Sequence, residues 1–194
     1  MMKKNGVIWR IQILALGFCL FVISQAAIAE TSPPAEGGSL PELILQSPTD
    51  PDHLRILGLS NQPTFTIPQI NASIVIIEIF SMYCPHCQSE APRINDLYQK
   101  ILKSPKLKDS VRMIGIGVGN SKFEVEFFRK TYSVPFPLVP DGKFTIHKQL
   151  GEVRTPYFIA VRINPEKTHR VFYSKLGAID NPDQFLKMIE GQLK

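Results

Sequence analysis

The sequence has little cysteine, little histidine and no concentrated charge, and each scarcity excludes a class of protein. Its 194 residues include three cysteines, four histidines and one tryptophan. Three cysteines are too few for a framework of several disulfides. A structural zinc site needs four ligands, yet the sequence has a single C-x-x-C pair and no two histidines within five residues of each other. Without a basic patch or a long run of like charge, nothing in it favours a nucleic-acid partner.

The first 29 residues have the layout of a secretory signal peptide. Three basic residues lie within the first ten positions, an apolar stretch follows at residues 11–23, and Ala27-Ile28-Ala29 provides a small-residue cleavage site. The apolar stretch is shorter than the about 20 residues that a spanning helix needs, which favours cleavage after Ala29; a retained inner-membrane anchor is the alternative. Cleavage would also remove Cys19 and three positive charges, so the formal charge falls from +5 to +2. We therefore expect an exported, periplasmic protein.

The rest of the chain divides into a short leader and one domain. Residues 30–39 are rich in proline, glycine and serine and predict a flexible leader, which makes residues 40–194 the folded domain. The predicted strands cover residues 54–59, 64–70, 74–80, 111–118, 136–139, 157–163 and 170–176; one predicted helix begins near residue 84, and others cover residues 123–132, 144–150 and 181–193. The run at 74–80 is apolar on both faces, as expected for a central strand. The pattern predicts an α/β fold with a central mixed sheet sandwiched between helices.

The two remaining cysteines, Cys84 and Cys87, stand three positions apart where the central strand passes into a helix. This placement aims unpaired backbone N–H groups and the positive end of the helix dipole at the Cys84 sulfur. Cysteines in such C-x-x-C sites have pKa values of roughly 3.5 to 7.5, against about 8.5 for a free cysteine. Pro85 stiffens the loop, and a protonated His86 would lower the pKa further. Cys84 is therefore the predicted attacking thiolate, and Cys87 the thiol that resolves the mixed disulfide.

Two other uses of the cysteine pair are a permanent disulfide and a metal site. A disulfide between Cys84 and Cys87 would close a loop too small to constrain the unfolded chain much. Copper binding is the alternative function, because His147 could join the two cysteines in the folded chain of a copper-binding metallochaperone. Redox exchange is the favoured prediction, and it requires neither a metal nor another cofactor.

Two further positions point to the same chemistry. Glu78 is the only charged residue of the strand at 74–80, and burying a carboxylate without a partner costs several kcal/mol or raises its pKa. A carboxyl group of raised pKa beside Cys87 can accept that thiol's proton; the alternative is a place at the sheet margin with the carboxylate in water. Thr155-Pro156 is either a simple strand boundary or a cis peptide whose backbone hydrogen bonds to an extended substrate.

These residues resemble the thioredoxin superfamily over about residues 54–193. The resemblance rests on an acid six residues before the first cysteine, the C-x-x-C pair, a proline five residues after the second cysteine and a proline before the last hairpin, here Glu78, Cys84, Cys87, Pro92 and Pro156. Within the superfamily, Cys-Pro-His-Cys resembles the DsbA-type oxidases, whereas the insertion at residues 103–154 resembles the TlpA-like redoxins. A peroxiredoxin is less similar, because its Pro-x-x-x-Thr-x-x-Cys context is missing before Cys84.

The resemblance implies a thioredoxin-like fold and a thiol–disulfide oxidoreductase. In that role Cys84 forms a mixed disulfide with the substrate, and Cys87 resolves it with help from Glu78. The Thr155-Pro156 pair would bind the substrate backbone, and the Met82-Tyr83 pair would give an apolar rim for a peptide. The implied partners are exported cysteine-containing proteins and a membrane or periplasmic redox partner. Whether the protein oxidises or reduces its clients stays open between the two branches.

Overall fold

Seven strands and five helices follow one another along residues 32–193, which are the residues that the computed structural model describes. The strands are β1 (Leu45–Gln46), β2 (Thr64–Phe65), β3 (Ile74–Phe80), β4 (Val111–Val118), β5 (Leu138–Asp141), β6 (Tyr157–Ile163) and β7 (His169–Leu176). The helices are α1 (Pro51–Leu57), α2 (Pro85–Lys103), α3 (Lys122–Thr131), α4 (Thr145–Gln149) and α5 (Pro182–Gly191), and a 3-10 helix covers Ile67–Gln69. The predicted signal peptide, with Cys19, lies outside the described residues. Within them, no helix has the length and hydropathy that crossing a membrane requires.

β3 lies at the centre of a five-stranded mixed sheet with the order β5-β4-β3-β6-β7. It pairs in parallel with β4 and antiparallel with β6, so that Ile77 stands opposite Ile114 on one side and Ile159 on the other. All seven residues of β3 are buried, as in a strand covered on both faces. A fully buried isoleucine contributes roughly 1.5–3 kcal/mol, so the isoleucine-rich run stabilises the centre of the domain.

Helices cover both faces of this sheet, which confirms the predicted α/β architecture. One hydrophobic cluster joins Ile74, Ile76 and Phe80 to buried side chains of α2, α3 and α5. A second cluster joins the odd-numbered residues of β3 to α1, α4 and the small antiparallel ribbon of β1 and β2. Because side chains alternate along a strand, Glu78 falls on the first of these faces, the one that α2 covers.

Local sequence signals set where the helices begin. Cys84 is the N-cap residue of α2, with extended backbone angles, and Pro85 follows at a position where its missing N–H costs nothing. Ser121 and Glu124 form a reciprocal capping box at the start of α3. Asn181 caps α5, as predicted. With Asp50 at the start of α1, four of the five helices therefore begin at residues whose side chains satisfy otherwise unpaired backbone N–H groups.

The predicted strand at residues 54–59 is wrong, because this stretch belongs to α1. Asp50 caps the helix by accepting a hydrogen bond from the Asp52 N–H, and Pro51 occupies the first turn. Gly58 ends the helix in the left-handed region, with φ of 65°. The apolar run was ambiguous in period, and these flanking residues decide in favour of a helix.

Two other predicted strands differ from the structure by two or more residues. The strand predicted at residues 64–70 is limited to Thr64 and Phe65, since Pro68 cannot donate to a ladder and lies in the 3-10 helix. The strand predicted at 136–139 begins two residues later, at Leu138. Pro135 and Pro137 lie just before Leu138, and neither proline can donate a backbone N–H to β4.

Residues 37 and 38, within the predicted flexible leader, are attached to the sheet. The Gly37 N–H donates to the Val171 carbonyl and the Val171 N–H donates to the Gly38 carbonyl, each over 2.8 Å. β7 is an edge strand, and these glycines pair with backbone groups that the sheet leaves unpartnered. The prediction of a flexible leader is therefore wrong for this part of the segment.

Candidate active site

The two cysteines follow β3 at the edge of the sheet where β4 also ends. Parallel strands bring their carboxyl ends to the same edge, so the residues after β4 lie beside the cysteine loop. Asn120, which is completely buried, accepts a hydrogen bond from the Met82 N–H over 2.8 Å through its side-chain oxygen. The Met82 carbonyl accepts a second bond, of 2.7 Å, from Gln88 on α2. The loop before Cys84 is therefore fixed from both sides.

Cys84 occupies the N-terminus of α2 and is partly exposed. Its sulfur accepts a hydrogen bond from the Cys87 N–H over 3.3 Å, and its thiol donates to the Thr155 carbonyl over 3.4 Å. Partial burial opposes ionisation of Cys84, but hydrogen bonds to the side chains of Cys87 and Thr155 and to the backbone of Cys87 and His86 outweigh it. The net result is a pKa below the ordinary cysteine value. His86 contributes to this lowering through its backbone, and the further effect of a protonated imidazole stays a prediction.

Cys87 is completely buried one turn into α2 and has the opposite acidity. Burial is the main reason that its pKa is raised, and the hydrogen bond with Cys84 and the charges of Cys84 and Glu78 raise it further. Both thiols are free in this structure. The pair therefore combines one reachable, acidic thiol with one shielded, weakly acidic thiol, and this asymmetry assigns different steps to the two sulfurs.

Glu78 is buried beneath α2, with only 3% of its surface exposed, so the alternative placement at the sheet margin is wrong. Burial raises its pKa to about 8, and the negative charges of Glu90 and Cys84 act in the same direction. A carboxyl group with this pKa exchanges its proton near neutral pH. Since its charge also acts on Cys87, it is suited to accept the proton of that thiol.

The peptide bond between Thr155 and Pro156 is cis, as the functional interpretation of this pair predicted. It lies directly beside Cys84, because the Thr155 carbonyl accepts from that thiol. A groove of about 430 Å³ opens on one side of it, lined in part by His86, Glu90 and Pro156.

Met82 and Tyr83, the predicted apolar rim, differ in exposure. Met82 is partly buried and packs against the hydrophobic cluster under α2. Tyr83 is 66% exposed, and its hydroxyl donates a hydrogen bond to the Glu124 carboxylate on α3. Glu124 is itself held by the N–H and hydroxyl of Ser121, and these hydrogen bonds lower its pKa to about 2. The Tyr83 ring is thus exposed to solvent but held at its hydroxyl end.

Glu90 is a second buried carboxyl group, which the sequence analysis did not select. It lies on α2 three residues after Cys87, and one of its carboxylate oxygens is buried without a hydrogen-bond partner. Burial raises its pKa, and the partly exposed Arg93, 3.8 Å away, offsets this only in part. Helical periodicity contained the signal, because Glu90 falls on the same face of α2 as Cys87 and Ile94.

His147 does not form a metal site with the cysteines in this structure. Its ring nitrogen Nε2 lies 2.9 Å from the Val153 carbonyl. Across residues 32–193, no three side chains of the histidine, cysteine, aspartate or glutamate type are grouped in a way that would hold a metal ion. No observation therefore favours the copper alternative over thiol exchange.

The five-stranded sheet, the helices on both of its faces and the paired thiols at its edge define a protein of the thioredoxin-like class. Solved structures agree with this fold. A putative thiol:disulfide interchange protein DsbE from Chlorobium tepidum superposes with a TM-score of 0.60 at 14% identity, covering 83% of this chain and 99% of that one. StoA from Bacillus subtilis superposes with a TM-score of 0.50 at 23% identity, covering 68% and 89%.

The chain belongs to the AhpC/TSA family, whose sequence model matches residues 55–175. Its relatives are thiol–disulfide oxidoreductases. The protein ResA of Bacillus subtilis is 27% identical over 143 residues, which cover 73% of this chain and 70% of the relative. ResA of Bacillus cereus strain ATCC 10987 is 26% identical over 161 residues, covering 80% and 81%. These relatives agree with the redoxin branch of the predicted resemblance, whereas the likeness of Cys-Pro-His-Cys to DsbA-type oxidases stays a prediction.

Proposed function

We propose that this protein is an exported thiol–disulfide oxidoreductase that exchanges disulfides with protein clients through Cys84 and Cys87. The observation that carries the proposal is the asymmetry of the two thiols. Cys84 is reachable and has a lowered pKa, while Cys87, one turn away, is buried and has a raised pKa. A thiolate attacks disulfides and a neutral thiol does not, so only Cys84 is prepared to react with an outside molecule.

The reaction follows from these positions. In the reducing direction, the Cys84 thiolate attacks one sulfur of a client disulfide; a bond from Cys84 to the client forms while the client disulfide breaks, and the displaced sulfur leaves as a thiolate. Cys87 then gives its proton to the Glu78 carboxylate and attacks the Cys84 sulfur. The second client sulfur leaves, and two electrons have passed from the Cys84-Cys87 pair to the client. Oxidation of a client dithiol is the same sequence in reverse.

The Thr155-Pro156 pair is proposed to hold the client backbone during exchange. The Thr155 carbonyl already touches the Cys84 thiol at 3.4 Å, so a client sulfur bonded to Cys84 would lie against the same segment. Extended peptides commonly bind by hydrogen bonding to exposed backbone of this kind. Met82 and Tyr83 would contact the client peptide from the other side of the cysteine loop.

The proposed location is the periplasm, with release by signal cleavage or attachment through a retained anchor. The support is the pattern of residues 1–29, in which basic, apolar and small residues follow one another as in a signal peptide. An oxidising compartment also supplies disulfides to exchange. The clients would then be exported proteins that contain cysteines, and a second redox protein would restore the state of the Cys84-Cys87 pair.

Two serine variants test the proposal. Cys84→Ser should lower disulfide exchange with an insulin substrate by at least about a hundredfold, because the attacking thiolate is gone. Cys87→Ser should keep the attack but not the resolution, so a mixed disulfide on Cys84 should accumulate and be visible by mass spectrometry. If Cys84→Ser exchanges disulfides as fast as the parent protein, the proposal is wrong.

The reduction potential of the Cys84-Cys87 pair, measured against glutathione, assigns the direction of exchange. A value well above that of thioredoxin indicates an oxidase, and a value near or below it indicates a reductase.

A further inference from the structure

A second groove, distinct from the one beside Glu90, opens on the other side of Thr155. Its volume is about 550 Å³, and its walls include Tyr83, Phe144, His147 and Glu152. Thr155 lines both grooves, so the cis peptide segment separates them. Neither the thiol chemistry nor the proton transfer described above uses this second groove.

Two non-glycine residues in the wall of this groove have an unusual backbone conformation. Phe144 and Glu152 have φ values of 58° and 50°, in the left-handed region that bulky residues rarely adopt. Gly119 has φ of 65°, and a Cβ atom there would lie 2.5 Å from the Phe144 ring. The ring can therefore lie over residue 119 only because that residue is a glycine. Uncommon conformations of this kind persist where the surrounding structure holds them, and they concentrate at ligand sites.

The three rings of the groove are each fixed in place before any ligand arrives. Tyr83 is held through its hydroxyl by Glu124. His147 is held through Nε2 by the Val153 carbonyl and packs against Phe144, with ring centroids 6.1 Å apart. Even so, 46% of the Phe144 surface is exposed. An aromatic surface that is held rigid and left open loses little entropy when a side chain packs on it.

The chemistry of exchange identifies what can occupy this groove. A client sulfur bonded to Cys84 lies about 2 Å from it, so the client chain has to run across Thr155. Each extended residue advances about 3.3 Å, which places the residues flanking the client cysteine in the grooves on either side. The occupant of the aromatic groove is thus a side chain of the client segment itself.

Resting on the function proposed above, we propose that the groove of Tyr83, Phe144 and His147 selects clients with a large apolar or aromatic residue within two positions of the reactive cysteine. Phe144 is the residue that determines this specificity. The groove beside Glu90 would take the chain on the opposite side of the cysteine.

Symmetric peptide dimers linked by one disulfide test this selectivity. Two dimers are compared that differ only in having phenylalanine or glycine on both sides of the cysteine, and thiol release by the reduced protein gives a second-order rate constant for each. The parent protein should favour the phenylalanine dimer by roughly tenfold, the discrimination that an apolar pocket typically provides. Phe144→Gly, which suits the left-handed backbone, should reduce the ratio toward one, and Phe144→Tyr should keep it.

Phe127 provides a matched control, since it is an exposed phenylalanine on α3 that does not line the groove. Phe127→Ala should leave the ratio unchanged. A ratio near one in the parent protein, or a ratio that Phe144→Gly does not change, overturns the selectivity proposal. If Cys84→Ser still releases thiol from both dimers, the proposed function fails instead, so the two failures are distinguishable.

A second measurement does not depend on how the Phe144 variants fold. The Cys87→Ser protein is trapped as a mixed disulfide with the phenylalanine peptide and studied by nuclear magnetic resonance. Contacts between the peptide ring and the Phe144 or Tyr83 ring are the expected result. Their absence in the trapped complex overturns the proposal.

Discussion

Replacing Glu78 by glutamine should make the stability of the reduced protein less dependent on pH. Glu78 is buried, and burial together with the charges of Glu90 and Cys84 raises its pKa from 4.5 to about 8. The unfolded chain releases the Glu78 proton above about pH 4.5, whereas the folded protein retains it until about pH 8. Across this interval the folded state binds more protons, so the free energy of unfolding falls as the pH rises.

The magnitude follows from the difference between the two pKa values. A rise from 4.5 to about 8 corresponds to roughly 5 kcal/mol of stability that is present at low pH and lost once Glu78 ionises in the fold. Roughly 4 kcal/mol of this stability is lost between about pH 5 and about pH 8.5. Glu78→Gln cannot ionise, so its free energy of unfolding should decline less over that range, by up to this amount.

Urea unfolding of the reduced protein at both pH values measures the effect. Comparing each protein with itself at two pH values cancels the constant cost of burying an amide in place of a carboxyl group. Glu166→Gln, in the exposed turn between β6 and β7, is a matched control that should keep the parent's dependence. Parallel stability curves for the parent and Glu78→Gln would refute the assignment of Glu78 as a buried acid with a raised pKa.

Two other substitutions have defined outcomes. Glu90→Gln should lower the pKa of Glu78, because it removes one of the negative charges that oppose ionisation there; a nuclear magnetic resonance titration of the Glu78 carboxyl carbon measures this, and an unchanged titration would contradict the coupling. Asn120→Ala should lower the free energy of unfolding by about 1–3 kcal/mol, because the buried amide satisfies the backbone before Cys84. Urea denaturation beside Asn61→Ala, an exposed control, checks this, and equal stability of the two variants would count against it.

The sequence predicted the centre of the fold better than its margins. The run at β3 is apolar on both faces, and only a strand covered by two layers accommodates that pattern. The region of α1 was predicted as a strand because its apolar residues have no clear period. In the structure the N-cap at Asp50 favours a helix there. The attachment of Gly37 and Gly38 to β7 depends on an edge that exists only after folding, so composition gave no sign of it.

The sequence also predicted some features of the candidate site and missed others. Short-range signals located Cys84 at a helix start and Glu78 in a buried strand. The cis bond before Pro156 was one of two interpretations that the residues left open. What sequence reasoning missed depends on long-range placement. Asn120 can hydrogen bond to the cysteine loop only because parallel strands bring it there, and the position of Phe144 depends on a backbone conformation that its residue type does not favour.

The pairing of Gly37 and Gly38 with Val171 has a practical consequence for how the protein is prepared. A shortened form that begins at residue 40 would retain both thiols, Glu78 and the cis segment. It would also uncover the middle of β7, where backbone donors and acceptors would then be available to a strand of another molecule. Such a form would keep its chemistry and lose solubility, so truncations intended to remove the leader should stop before Gly37.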